Sequence, residues 1–366
     1  MKRRACALAL VVGFCFWIGL GTRSRAAAED APAAEAASPA EPAAVPEPPA
    51  AAGEERSRET PAGFRLIGEL LFLKPTLDDT SFVIVSATAP PPAPPFSGPV
   101  GQRVSDDFGY EPAFRIGAGY QFAESGRSVE LGYTRLAADA SESVTGAHLW
   151  ATRGSPRFGA SFLDYPGSAA AQIDVDYQRI DAHVSQPWQL SDLGLALQFG
   201  FEWAQFRVGE EYTYANSANG FTGRVSNASR SWGIGPDLGL ALSYAICRAC
   251  GIPGTFSLAG GAAIGVLFSE TDTRAGNSLL GSQTLSVRDD QTSRLLPAIH
   301  ARVGLGYEVP VTTRVRATLG VGYQLDSYLR GLARSSFVDD VARGQSTTDY
   351  YDFDLQGVFV SFGVVF

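Results

Sequence analysis

The chain has 366 residues, a formal charge of −9 and charged side chains at only 18%, with a pI near 5.0. That balance excludes a basic nucleic-acid binder, so no nucleic acid is expected as a partner. Three histidines and four cysteines leave little to build a metal cluster, and no cofactor, metal or catalytic set is expected. Glycine, at 40 residues, is about 11% of the chain against ~7% on average, which argues against a helical bundle.

Residues 1–28 predict a cleaved secretory signal peptide. Lys2, Arg3 and Arg4 precede an apolar stretch from Ala5 to Leu20, and small residues follow at 26–28. Cleavage removes five basic residues, taking the charge from −9 to −14, and also Cys6 and Cys15. Residues 29–62 are mostly Ala, Pro and Glu, without aromatic residues or apolar period, and predict a disordered periplasmic arm. The remaining 63–366 predict one outer-membrane β-barrel domain.

From Phe64 onward apolar residues recur with period two. Ten segments show it: 64–73, 112–122, 127–138, 172–187, 193–208, 228–246, 253–268, 293–308, 313–326 and 353–366. In the clearest, Trp232, Ile234, Leu238, Leu240, Leu242, Tyr244 and Ile246 oppose a row of small or polar residues. The connections alternate long (74–111, 139–171, 209–227, 269–292, 327–352) and short (123–126, 188–192, 247–252, 309–312). Short turns at one end and long loops at the other are the habit of outer-membrane barrels. Backbone groups in lipid must all be paired, so such a sheet must close. The fold class expected is all-β: a transmembrane antiparallel up-and-down barrel of ten strands, or twelve if HLWATRG and RFGASFLDY in 139–171 add a transmembrane hairpin.

In this reading the bulky rows face lipid and the Gly-rich polar rows face the lumen. Arg115, Glu130, Glu202, Asp237, His300, Arg302, Arg316 and Gln324 are the expected lumen-lining residues. They set ion selectivity if unpaired, or plug the interior if paired. Val358, Val360, Phe362, Val364 and Phe366 alternate to the terminus, with Phe366 as a candidate C-terminal assembly signal for the barrel assembly machinery. Cys247 and Cys250 form a C-x-x-C in a short turn, readable as a structural disulfide or as two idle thiols. Asp181, His183 and Ser185 alternate on one strand face, and their expected role is polar lining rather than catalysis.

These segments resemble a known family. GELLFLKP (68–75), FRIGAGYQF (114–122), VELGYTRL (129–136), IDVDYQRIDAHV (173–184), GIGPDLGLALSY (233–244), FSLAGGAAIGVLFS (256–269) and GVFVSFGVVF (357–366) are similar to the pore-forming major outer membrane proteins typified by that of Legionella. The resemblance spans 64–366 and implies an outer-membrane barrel with a pore or structural role and no catalytic residues; the Ala/Pro arm departs from it. The expected function is a porin-like pore for passive diffusion of ions and small polar solutes. The alternative is a structural or surface-interaction barrel acting through its outer loops. Expected partners are outer-membrane lipid, the assembly machinery and the solutes themselves, with a homo-oligomer left open.

Overall fold

The computed structural model describes residues 62–88, 101–123, 125–154, 160–190, 193–247, 253–280, 282–313, 315–336 and 347–366. The signal segment, and the arm except for residue 62, lie outside them. Among the described residues twelve strands follow in chain order: β1 (Gly63–Leu77), β2 (Ser81–Val85), β3 (Gln102–Ser105), β4 (Glu111–Gln121), β5 (Ser128–Ala151), β6 (Tyr165–Leu190), β7 (Leu193–Asn216), β8 (Phe221–Cys247), β9 (Thr255–Leu279), β10 (Ser282–Pro310), β11 (Arg316–Ser336) and β12 (Thr347–Val365). A 3₁₀ turn covers Ala160–Phe162.

Ten of these strands form an antiparallel ring in the order β1, β4, β5, β6, β7, β8, β9, β10, β11, β12. The ring closes where β12 pairs with β1, from Arg65 opposite Val365 to Leu77 opposite Phe353. All ten expected segments are ring strands. The twelve-strand alternative is corrected: β2 and β3 come from the 74–111 connection and pair on the outer end of β5, at Val83 opposite Ala151. Segment 139–171 instead prolongs β5 and β6.

The expected long loops are corrected as well. Only 217–220 separate β7 from β8, and only 280–281 separate β9 from β10. The reason lies in an exchange of rows. On β7 the outward row runs Leu193, Leu195, Leu197, Phe199, Phe201, Trp203, then continues as Gln205, Arg207 and Glu211. The inward row does the reverse, from Gln198, Gly200 and Glu202 to Ala204, Phe206, Val208, Tyr212 and Tyr214. Period two persists, but outside the membrane the environments swap. Lipid faces apolar side chains, whereas water faces polar ones and drives the apolar row inward.

The outward apolar band is strongly exposed, as at Phe201 (57%), Ile264 (62%) and Phe268 (66%). It ends within one pleat on neighbouring strands: Trp203 and Phe268 give way to Gln205 and Glu270, and Trp232, which stands opposite both of these, gives way to Arg230. At the short-turn end, which holds both strand termini of the chain's barrel, Phe64 and Phe366 exchange backbone hydrogen bonds of 2.9 and 3.0 Å. The Phe366 ring is exposed and lies 6.3 Å from that of Phe64.

The upper part of β11 leaves the wall. Pairing of β10 with β11 stops at Ala298 opposite Tyr328, while β11 stays paired with β12 as far as Ser336 opposite Thr347. A bulge between Tyr328 and Leu332 contains Arg330, whose φ of 58° turns the backbone. The β11–β12 hairpin then enters the barrel mouth. The Ala333 N–H donates to Ser229 Oγ of β8 at 3.2 Å, Ser335 meets Thr273 of β9 at 3.1 Å, and Arg334 pairs with Glu210 of β7.

Candidate functional site: the closed interior

The interior of the ring is built in layers. At the short-turn end lies a cavity of about 640 Å³, walled by small residues such as Ala241, Gly261, Ala263 and Gly304 and by polar ones such as Gln198, Ser243 and Thr318. Arg65 pairs with Glu130 here at 2.8 Å, and Arg316 with Glu308 at 3.0 Å. Arg302 pairs with Glu69 at 2.9 Å while its guanidinium lies over the Phe359 ring. That ring occupies the space beside Gly322, where an added Cβ would come within 2.6 Å of it.

Above the cavity, charges close into a buried network. Arg115 donates to Asp181 at 2.7 Å, and Arg179 to Asp181 at 3.2 Å and to Asp326 at 3.0 Å. His300 lies between Asp326 (2.7 Å) and Glu202 (2.8 Å), and Tyr328 donates its hydroxyl to Glu202. Gln324 donates to Asp326 at 3.3 Å. His183 sits between Asp237 (2.6 Å) and Asp181 (3.4 Å). Two arginines and two histidines thus face four carboxylates. Glycines make the bridges fit. The Arg115–Asp181 pair, from β4 to β6, passes over Gly132 of β5, where a Cβ would lie 2.8 Å from the carboxylate. The His183–Asp237 pair, from β6 to β8, passes over Gly200 of β7, where a Cβ would lie 2.6 Å from the imidazole.

The next layer is aromatic. Tyr177 of β6 and Phe206 of β7 meet Tyr328 of β11 and Phe353 of β12, all four fully buried. The Tyr177 and Tyr328 hydroxyls are 2.9 Å apart, and the Phe206 and Phe353 rings 5.0 Å. In the ten-strand ring, β6 stands opposite β11 and β7 opposite β12. Opposite walls therefore touch side chain to side chain. Further out, Phe82, Leu149, Phe162, Tyr165, Tyr212 and Tyr214 form a second buried cluster under the rim. The Tyr214 hydroxyl ties to the Phe82 carbonyl at 2.8 Å.

All eight candidate lumen residues sit on the inward-facing rows of ring strands. The structure brings Arg115, Glu202, His300 and Gln324 into the network around Asp181 and Asp326, and Asp237 joins through His183. Glu130, Arg302 and Arg316 lie lower, each in its own pair. Arg179, Asp326, Glu69, Arg65 and Glu308 complete these contacts and were absent from the sequence-based set, although each lies on the inward row of a recognised strand. Ser185 makes no contact with His183, both of whose ring nitrogens face carboxylates. His148 stands at the outer end of β5, 2.8 Å from Asp164. Cys247 ends β8, and Cys250 lies outside the described residues.

One rim group carries a pH-sensitive load. Asp106, in the stretch after β3, is buried with Oδ2 unpartnered, and burial followed by the charge of Glu142 pushes its pKa up to about 6. A carboxyl raised in the folded state contributes stability that is complete below its unfolded pKa and is lost as pH rises through 6. Asp106→Asn should therefore gain in urea midpoint over the wild type as pH goes from about 4 to about 8. A gap that stays constant with pH defeats this reading.

Among solved structures, the outer membrane protease OmpT from Escherichia coli is similar at 11% identity, covering 84% of this chain and 97% of that one, with a TM-score of 0.43. The translocator domain of the autotransporter NalP from Neisseria meningitidis shows 13% identity over 83% of this chain and 88% of that one, with a TM-score of 0.31. A Pseudomonas aeruginosa FadL homologue shows 8% identity over 83% and 90%, with a TM-score of 0.25. No curated protein matches the chain. The family described as Legionella pneumophila major outer membrane protein precursor matches residues 58–366, the whole of the ring included. A closed ring with a lipid-facing belt and a match over all of it place the chain in the Legionella major outer membrane protein family.

Proposed function

We propose that this outer-membrane protein is a closed barrel that acts through its outer crown, as a structural or surface-contact element, rather than as a freely open diffusion pore. The observation that carries this reading is the contact of opposite walls: β6 with β11 and β7 with β12, through Tyr177, Phe206, Tyr328 and Phe353. Barrels of about eight strands fill their interior with side chains, and water-filled channels come with sixteen or more. Ten strands belong near the filled end. The Arg–carboxylate pairs support the same reading, because paired charges leave no ring free to attract ions. No catalytic role is proposed.

A porin-like role has one observation in its favour. The cavity of about 640 Å³ at the short-turn end is lined partly by polar and charged side chains, and the inturned β11–β12 hairpin, unpaired with β10, is held at the mouth through side chains of β7, β8 and β9. A swing of that hairpin, with repacking of the aromatic layer, would join cavity to exterior. Planar-bilayer recording of the refolded mature chain decides between the two. The closed reading expects a folded, heat-modifiable protein that gives no discrete steps. Reproducible unitary steps from the wild type would establish the pore and overturn it.

A further inference from the structure

Where the upper β11–β12 hairpin turns inward, it leaves the ring wall split between β10 and β11. The split begins just above Ala298 and Tyr328. It lies at the height where the outward rows change from apolar to polar, at Leu295 on β10 and Phe268 on β9. Arg294 of β10 sits in this slot. Its guanidinium stacks on the Tyr350 ring at 4.2 Å, and Nη2 donates to Thr271 at 3.3 Å. Its Nε and Nη1 atoms are buried and have no hydrogen-bond partner among the described residues.

Six other inward arginines each have a carboxylate: Arg65, Arg115, Arg179, Arg302, Arg316 and Arg334. Arg294 has none. What bears on it instead is a second cation, Arg330, exposed in the bulge where the hairpin departs. A half-buried guanidinium with two idle, water-excluded donors and a like charge beside it is costly unless an anion completes it. Two guanidiniums suit a doubly charged oxyanion better than a single carboxylate.

We infer that the slot between β10 and β11 binds a phosphate group through Arg294 and Arg330. Its place at the edge of the lipid belt fits a phosphate carried by an outer-leaflet lipid, whose acyl chain would lie on Leu295 and Phe268, both strongly exposed. Thr271 and Tyr350 fix the orientation of the Arg294 fork. The inference is independent of whether the barrel conducts.

The test uses the mature chain in detergent, with heat-unfolding followed by gel mobility against added diphosphoryl lipid A or inorganic phosphate. Lipid A should raise the unfolding temperature of the wild type, and Arg294→Gln or Arg330→Gln should need about tenfold more of it. Without ligand, Arg294→Gln should unfold at or above the wild-type temperature, since it removes a partly buried charge that has no carboxylate among the described residues. An equal response to inorganic phosphate at the same concentration would uphold the phosphate site and overturn the lipid as its source. An Arg294→Gln protein that responds to lipid A as the wild type does, or that is unstable without ligand, would overturn the site itself.

Discussion

Arg179→Ala is expected to cost about 3–5 kcal/mol of folding stability, the range seen when one partner of a buried ion pair is removed. The guanidinium is nine-tenths buried and serves Asp181 at 3.2 Å and Asp326 at 3.0 Å, with Glu202 at 4.0 Å. Truncation leaves these carboxylates inside the membrane with only Arg115 and the two histidines to answer them. Water cannot enter from above, because the aromatic layer lies over the network. The loss should appear as a fall in urea midpoint in detergent with little change in slope. A second construction separates charge from packing: Arg179→Met with Asp326→Leu should recover much of the loss, since apolar replacement of a whole pair is often near neutral. A fall of less than about 1 kcal/mol for Arg179→Ala would mean that the network is not the buried, coupled unit the distances describe.

Arg334→Ala should act just as strongly but locally. Arg334 donates to both oxygens of Glu210 across the mouth and, at 3.3 Å, to the Asp79 carbonyl, and its guanidinium lies over the Tyr351 ring at 4.8 Å. Glu210 is almost fully buried. Breaking that pair is again worth about 3 kcal/mol or more, but the hairpin lacks its β10 neighbour and can open without unfolding the ring. Amide exchange over 331–336 should therefore speed up by about a hundredfold or more, while the lipid-level parts of β5 to β8 keep their protection. Unchanged exchange at 331–336 would show that apolar packing alone, through Leu332 and Ala333, holds the hairpin in the mouth.

The lipid-level half of this barrel was legible because hydrocarbon imposes a single rule, bulky side chains out and small ones in, and ten segments obey it. The outer half obeys the same period with the faces exchanged. Tyr212, Tyr214 and Val225 mark it plainly once the exchange is allowed, yet a search for bulky residues in one unbroken row takes 209–227 for a loop. The inturned hairpin had no comparable signal, since both faces of upper β11 become buried and alternation loses its meaning there. For the site, parity placed Arg115, Glu202, Asp237 and His300 inward. Which charges pair depends on which strands stand opposite, and that follows from the strand count: with ten, the sixth chain strand faces the eleventh. The glycines carry a further signal. Gly132 and Gly200 leave room for ion pairs that reach past a neighbouring strand, rather than widening a channel.

The switch of the outward rows at Trp203, Trp232 and Phe268 also has a mechanical meaning. It works like the waterline of a hull. Sliding the barrel inward by one pleat would bring Gln205, Arg207, Arg230 and Glu270 toward hydrocarbon, and sliding it outward would lift the aromatic belt into water, so the immersion depth is fixed on every side. Above that line β8 runs from Trp232 out to Phe221, paired with β7 throughout and with β9 as far as Gly223, which at ~3.3 Å per residue and a tilt near 40° stands about 25–30 Å clear. Whatever approaches the cell from outside first meets a stiff, hydrogen-bonded turret of sheet, whose shape is set by its own core and not by the lipid around its base.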